Sequence, residues 1–314
     1  MLDYNRKYEV DGKTYSIDRF TFDFYFVPQV DLTDKIKTSF DVKVMAYRHQ
    51  MSVQNFETNK LGIHKNVYQF DGLHVEVYER GVIRRTRRID QETGDIVSSA
   101  VVDIPQTVLR VDYNPNKCAE NPVLSSMMQF LSKCSDDIPY TWSLSRVDYA
   151  MDIHGSPSNF YVLSRKAETF YENTRYYGER SATGRMKIYD KRQERIDKAR
   201  EDIGYDLTRF EWTQRGNKDF NFRFDDIAIY TSDAGGTYGA LLQYCRPELI
   251  NHALGVLDKR TRKKIKDQCF CPLVYDSSCF ENLLVEYLQE YGLPLDLRRD
   301  WEKQFKNEIL KNNT

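Results

Sequence analysis

No stretch of the 314 residues approaches the roughly 20 consecutive apolar positions that a bilayer-spanning helix needs. The opening residues, Met1-Leu2-Asp3-Tyr4-Asn5, lack the apolar segment of a secretion signal. Cysteine is sparse. The six that occur (Cys118, Cys134, Cys245, Cys269, Cys271, Cys279) form no C-x-x-C pairs, which argues against a disulfide framework and reads as reduced thiols of a cytoplasmic protein. Cys269, Cys271 and Cys279 lie close together, but their spacing suits zinc poorly. There is no internal repeat, no low-complexity linker and almost no net charge, the formal value being −1.

That near-neutral sum hides local structure, and phosphates meet a surface rather than an average. Arg80, Arg84, Arg85, Arg87 and Arg88 make one basic cluster. A second runs from Arg175 to Lys198, where eight cations face four acids. A third holds Lys259, Arg260, Arg262, Lys263, Lys264 and Lys266 with no acid among them. Each alone is most simply a solvated face; three together point to a polyanionic partner. With 30% charged and 40% hydrophobic residues, the chain has the composition of a globular protein of one large or two smaller domains.

The first half is patterned for strands. Candidates are 17–26, 73–79 (after an Asp71-Gly72 hairpin signal), 108–113, 143–153, 184–189 and 207–214. Helices are expected at 122–134 and after the Ser156-Pro157 cap, with Phe160, Leu163, Ala167 and Phe170 on one face. From about Arg246 the pattern turns helical. Phe280, Leu283, Leu284, Tyr287, Leu288 and Tyr291 form one amphipathic face, and Trp301, Phe305 and Ile309 another. The expected fold is α+β, a mainly antiparallel sheet with flanking helices and a helical C-terminal region. The division is a sheet-based unit at 1–245 and a helical C-terminal region at 246–314.

One pattern occurs three times inside candidate strands: arginine, apolar residue, acid, aromatic. The copies are Arg110-Val111-Asp112-Tyr113, Arg146-Val147-Asp148-Tyr149 and Arg209-Phe210-Glu211-Trp212. Side chains alternate across a strand, so arginine and acid share a face in each copy. Were the three strands neighbours, Asp112, Asp148 and Glu211 would line up about 5 Å apart and invite a hard cation such as Mg²⁺ or Mn²⁺. The competing reading is a ladder of Arg–acid pairs on an open sheet face. Asp152, four residues beyond Asp148, falls roughly 13 Å away along an ideal strand, too far to share that ion.

The segment Gly184-Arg185-Met186-Lys187-Ile188-Tyr189 puts Arg185, Lys187 and Tyr189 on one strand face, opposite Met186 and Ile188. A phenol is a poor nucleophile at neutral pH, but nearby cations favour the phenolate and hold a phosphate for attack. A half-buried aromatic with a wet hydroxyl is the plainer reading of the same residue.

Taken in order, Arg110-Val111-Asp112-Tyr113-Asn114-Pro115-Asn116-Lys117, Arg146-Val147-Asp148-Tyr149-Ala150-Met151-Asp152, Tyr176-Tyr177-Gly178, Lys187-Ile188-Tyr189-Asp190-Lys191-Arg192-Gln193-Glu194-Arg195 and Arg209-Phe210-Glu211 resemble the Rep_trans family. These are replication initiators of small Gram-positive rolling-circle plasmids and their relatives among conjugative relaxases. The similarity runs from about residue 105 to 215, and more weakly through Lys259–Lys266 and Trp301–Phe305. It implies that Tyr189 attacks DNA, with Lys187 and Arg185 beside it, and that Asp148 and Glu211, with Asp112, belong to an Mg²⁺ or Mn²⁺ site. Where family members carry a second acid two residues after the position of Glu211, this chain has Thr213. The His-apolar-His motif of the larger nickase class is absent; His49, His64, His74, His154 and His252 are scattered.

The implied activity is sequence-specific nicking and joining at a double-strand origin, through a 5′-phosphotyrosine link and a free 3′-hydroxyl primer. Arg84, Arg85, Arg87, Arg88, Lys191, Arg192, Arg260, Arg262, Lys263 and Lys264 are the candidate DNA contacts. The implied partners are double- and single-stranded origin DNA, a second copy of the chain and a host DNA helicase. Because water must not cleave the covalent link, the site is expected to be poor in general bases near Tyr189. The alternatives are a relaxase acting on a transfer origin, a metal-dependent hydrolytic nuclease, and a DNA-binding regulator without chemistry.

Overall fold

The computed structural model describes residues 6–26, 52–58, 63–70, 72–89, 96–118, 140–164, 166–180, 184–215, 227–231, 247–269, 271–291 and 293. The chain opens with a hairpin of β1 (Lys7–Val10) and β2 (Lys13–Phe26). Its two-residue turn, Asp11-Gly12, takes φ of 50° and 70°, the left-handed geometry that matches the twist of a hairpin and that an Asp-Gly pair supplies. A meander follows: β3 (Ser52–Thr58), β4 (Ile63–Phe70), β5 (Leu73–Ile89) and β6 (Ile96–Tyr113). A single helical turn, α1 (Pro115–Cys118), comes next, and then β7 (Tyr140–His154).

The second half contributes β8 (Phe160–Ser164), β9 (Glu168–Tyr171), β10 (Thr174–Tyr177) and β11 (Arg185–Asp190). β11 runs directly into α2 (Lys191–Ala199), which is followed by β12 (Leu207–Arg215) and β13 (Ile227–Thr231). The last described elements are α3 (Pro247–Val256), α4 (Lys259–Cys269), β14 (Cys271–Pro272) and α5 (Ser277–Glu290).

Among the described residues the strands build two antiparallel sheets. The large one has the order β3-β4-β5-β6-β2-β7-β12-β11-β10-β9, with β1 on the first part of β2; the small one is β14-β13-β8. The fold is α+β and mainly antiparallel, as the patterning predicts. Period-two alternation gives the large sheet one apolar face. Phe20, Phe22, Phe24, Tyr113, Val147, Tyr149, Met151, Met186, Ile188, Phe210 and Trp212 are all buried there. Helix α5 covers this face with the stripe read from the sequence, Phe280, Leu283, Leu284, Tyr287, Leu288 and Tyr291. Phe280 packs against Tyr15, Tyr149 and Trp212 at ring separations of 5.1, 5.2 and 6.0 Å. Phe280→Ala is therefore expected to lower stability by about 3–5 kcal/mol, seen as a lower urea midpoint with an unchanged slope.

Two expectations change. The helix anticipated after Ser156-Pro157 is one 3₁₀ turn, Pro157–Asn159, capped by the Ser156 hydroxyl. Phe160 then starts β8, because its aromatic and β-branched run pairs with β13. Strand 73–79 extends to Ile89, so Arg84, Arg85, Arg87 and Arg88 lie on β5 in register with Val102, Val101, Ser99 and Ser98 of β6. The helices expected at 122–134 and around Trp301, Phe305 and Ile309 lie outside the described residues. Among the described residues no helix is long and apolar enough to cross a membrane.

Candidate active site

The other face of the large sheet is polar. In register across β11, β12 and β7, Lys187 faces Glu211, which faces Ala150; one rung on, Tyr189 faces Arg209, which faces Asp152. Met186 and Ile188 are buried on the opposite face, so Arg185, Lys187 and Tyr189 do share one side of β11. Asp190 ends the strand and caps α2, its carboxylate accepting from the Gln193 amide at 2.9 Å. This junction sets Lys191 next to Tyr189. The ammonium groups of Lys187 and Lys191 stand 5.4 and 5.8 Å from the Tyr189 ring centre.

Tyr189 is 8% exposed and donates its hydroxyl to Glu211 Oε2 at 3.4 Å. The other Glu211 oxygen meets the Lys187 ammonium at 2.5 Å. Burial pushes the Glu211 carboxyl up to about 7, against the opposing pull of Lys187. Burial likewise pushes the Tyr189 phenol well above its ordinary value, with Arg209 opposing. Lys191 is lowered, chiefly by burial and then by Arg209. The expectation of a site poor in general bases is thus not met: a carboxylate with a near-neutral pKa touches the tyrosine hydroxyl. Glu211 itself is 3% exposed.

Arg209 holds the site together. Its guanidinium grips both oxygens of Asp152 at 2.6 Å and both oxygens of Asp18 at 2.8 Å. Burial alone raises the Asp18 carboxyl, but Arg209, Lys191 and Lys187 together hold it below its ordinary value. Asn116 Nδ2 donates to Asp18 at 2.7 Å and ties α1 to the cluster. Asp18 sits where the β2–β7 register slips between Ile17 and Arg19, a β-bulge that re-aims a side chain towards this face. Sequence reasoning missed Asp18 and the role of Asp152. The only signal for Asp18 is an acid within the apolar alternation of 17–26, and that signal names no partner. Arg209→Met is expected to cost about 3 kcal/mol by taking the guanidinium from two partly buried carboxylates, Asp18 and Asp152, measurable by denaturant unfolding.

The three acids of the repeated pattern do not form one row: Asp148 and Glu211 are diagonal neighbours on the adjacent strands β7 and β12, but Asp112 is set apart from them by β2. β2 lies between β6 and β7, so Asp112 is opposite Thr21 and Asp148 is opposite Arg19. Asp112 is gripped by Arg19 at 2.7 and 2.5 Å, and Asp148 by Arg146 at 2.8 and 2.5 Å. Farther along, Arg110 takes Asp23 rather than its own Asp112. The face is a ladder of ion pairs. Among the described residues no group of three His, Cys, Asp or Glu side chains is placed to hold a metal ion. As folded, these acids do not fit a preformed Mg²⁺ or Mn²⁺ site, because each already has a cation of the chain.

The candidate DNA contacts are scattered over the molecule. Lys191 is beside Tyr189 and paired with Glu194. Arg192 instead spans the exposed carboxylates of Asp202 and Asp206 at 2.8 and 3.2 Å. On α4, Arg260, Lys263 and Lys264 are exposed, whereas Arg262 donates to the carbonyls of Gly255 and Leu257 and closes the end of α3. Arg185 is fixed over the Tyr176 ring, 4.3 Å from its centre.

No family model matches the chain. It is similar to several curated proteins of Staphylococcus aureus, each named replication initiation protein. One is 28% identical over 172 residues, 51% of this chain and 53% of that protein. A second is 31% identical over 136 residues, 40% of this chain and 42% of the other. A third is 31% identical over 99 residues, 29% and 30% of the two chains. The chain spans about half the length, or less, of the curated relatives it matches. These relatives agree with the resemblance read from the motifs. A solved rolling circle replication initiator protein from Geobacillus stearothermophilus aligns over 88% of this chain and 97% of its own, at 12% identity and a TM-score of 0.31, too low to carry an argument.

Proposed function

We propose that this chain initiates rolling-circle replication by nicking and rejoining one DNA strand with Tyr189 as nucleophile. The observation that carries the reading is the hydrogen bond from the Tyr189 hydroxyl to Glu211, with Lys187, Lys191 and Arg209 around it. Similarity to replication initiation proteins supports it.

In this mechanism the phenol proton passes to Glu211 Oε2 as Tyr189 Oη attacks a phosphodiester. The Oη–P bond forms, and the P–O3′ bond breaks with its electron pair leaving on the 3′ oxygen. Lys191, whose ammonium burial has made more acidic, is suited to protonate that oxygen. Lys187 offsets charge on the non-bridging oxygens. One phosphodiester replaces another, so the reverse step rejoins the strand without ATP. A divalent ion would have to displace Lys187 from Glu211 and Arg146 from Asp148, so no step here runs through one. Comparing Mg²⁺, Mn²⁺ and EDTA in the nicking assay measures whether the activity needs it.

Supercoiled plasmid carrying the cognate origin is the substrate for the test. Nicked circles with protein on the 5′ end are expected; binding without any nick would reduce the chain to a regulator. A hydrolytic nuclease is the second reading, favoured by the near-neutral carboxyl of Glu211, and it leaves nicks with free ends. The same assay on a transfer origin separates a relaxase from an initiator.

The reading assigns the helical region after residue 246 to origin recognition and takes a second copy and a host DNA helicase as partners. The exposed cations of α4 are its phosphate contacts. Replacing Arg260, Lys263 and Lys264 together by Ala is expected to reduce the salt slope of origin binding by about 3, with affinity loss nearly independent of sequence.

A further inference from the structure

A cavity of about 310 Å³ opens beside Tyr189, between the β9–β10 edge of the sheet and helix α2. Its lining includes Tyr171 and Tyr176 of the sheet edge, Lys187 and Tyr189 of β11, and Gln193 and Asp197 of α2. Packing does not account for the aromatic wall. Tyr171 is 66% exposed on an edge strand, at a position where an apolar ring gains nothing from the core. Tyr176 is held in place by the Arg185 guanidinium stacked on its ring. On the polar wall, Glu194 is taken up by Lys191 and Lys198. Asp197 accepts from Gln193 Nε2 at 2.9 Å, and a carboxylate has lone pairs for further donors.

We propose that this cavity receives the unstacked base of the nucleotide next to the scissile phosphate, and that it selects guanine. The inference rests on the nicking reading, which brings a single strand to Tyr189. Unstacked bases are held on aromatic side chains and read on their Watson–Crick edges. Guanine presents two adjacent donors on that edge, N1–H and the exocyclic amine, and an acceptor-only carboxylate answers both. Thymine offers one donor flanked by carbonyls that Asp197 repels. The pocket thus gives specificity beside the cut, where a phosphate contact carries no sequence information.

The test uses the full chain and a pool of single strands with a randomised central segment. Strands that become covalently attached are recovered and sequenced. A guanine preference at a position flanking the cut is expected, falling about tenfold in Asp197→Ala. Tyr171→Ala is instead expected to lower adduct yield about tenfold for all four bases alike, because stacking does not tell them apart. In Asp197→Asn the preference is expected to move from guanine towards adenine and cytosine, whose Watson–Crick edges set an amino donor beside a ring acceptor that an amide meets with two bonds, a gain that misfolding cannot produce. Adducts whose flanking preference is absent, or is unchanged in both Asp197 variants, overturn the pocket and leave the nicking reading standing. No adduct with any strand overturns both.

Discussion

Tyr189→Phe is expected to abolish a covalent protein–DNA adduct while the fold persists. The substitution removes one oxygen and one hydrogen bond of 3.4 Å, and leaves the ring near Lys187 and Lys191. Glu211 keeps its ion pair with Lys187, so no buried charge is left alone. The melting temperature should move by only a few degrees, as for the loss of about 1 kcal/mol. Nicking, by contrast, should fall on the order of 10⁴-fold or more, the scale seen when a nucleophile is deleted. Denaturing gels of end-labelled DNA with attached protein measure the adduct directly. Nicks that survive the substitution with free ends would transfer the chemistry to water activated by Glu211.

The second large effect is a pH profile. With its pKa raised to about 7, Glu211 is a base only when deprotonated, so the nicking rate should climb with pH up to about 7 and then level. At pH 6 the active fraction is about one tenth. Glu211→Gln should flatten this limb and slow nicking by about 10²–10⁴-fold. Stability runs the other way. The folded carboxyl titrates above the unfolded value of 4.5, so the stability it contributes is full below that value and is lost as pH rises through 7. Urea midpoints should therefore fall from pH 4.5 to pH 7 in the wild-type chain more steeply than in Glu211→Gln. Equal slopes would mean that Glu211 is charged throughout.

Much of this site follows from counting residues. Alternation along 184–189 separates Arg185, Lys187 and Tyr189 from Met186 and Ile188, and the structure keeps that separation. The helical stripe from Phe280 to Tyr291 is likewise legible, because a 3.6-residue period is a local property. The segment after Ser156-Pro157 misleads for the same reason. Phe160, Leu163, Ala167 and Phe170 satisfy a helical period, but β13 supplies a hydrogen-bonding edge that no local pattern announces.

The acids show the boundary most clearly. Each Arg-x-acid copy places its two charges on one face, and all three copies do so here. Which charges then meet depends on the strand between them. By entering between β6 and β7, β2 supplies Arg19 to Asp112 and Asp23 to Arg110, and its bulge brings Asp18 to Arg209. The cavity at Tyr171 and Asp197 also needs a sheet edge and a helix meeting across more than twenty residues of chain.

From the sequence alone come the antiparallel α+β class, the two faces of each strand, the apolar stripe of the covering helix and the tyrosine with its flanking cations. Those are consequences of side-chain period and residue chemistry within a few positions. Tertiary structure decided the strand order, the ion-pair partners of Asp112, Asp148, Asp152 and Glu211, the carboxylate beside Tyr189 and the cavity at the sheet edge. Those depend on long-range backbone pairing, where a strand inserted from the far end of the chain changes every neighbour without altering any local pattern.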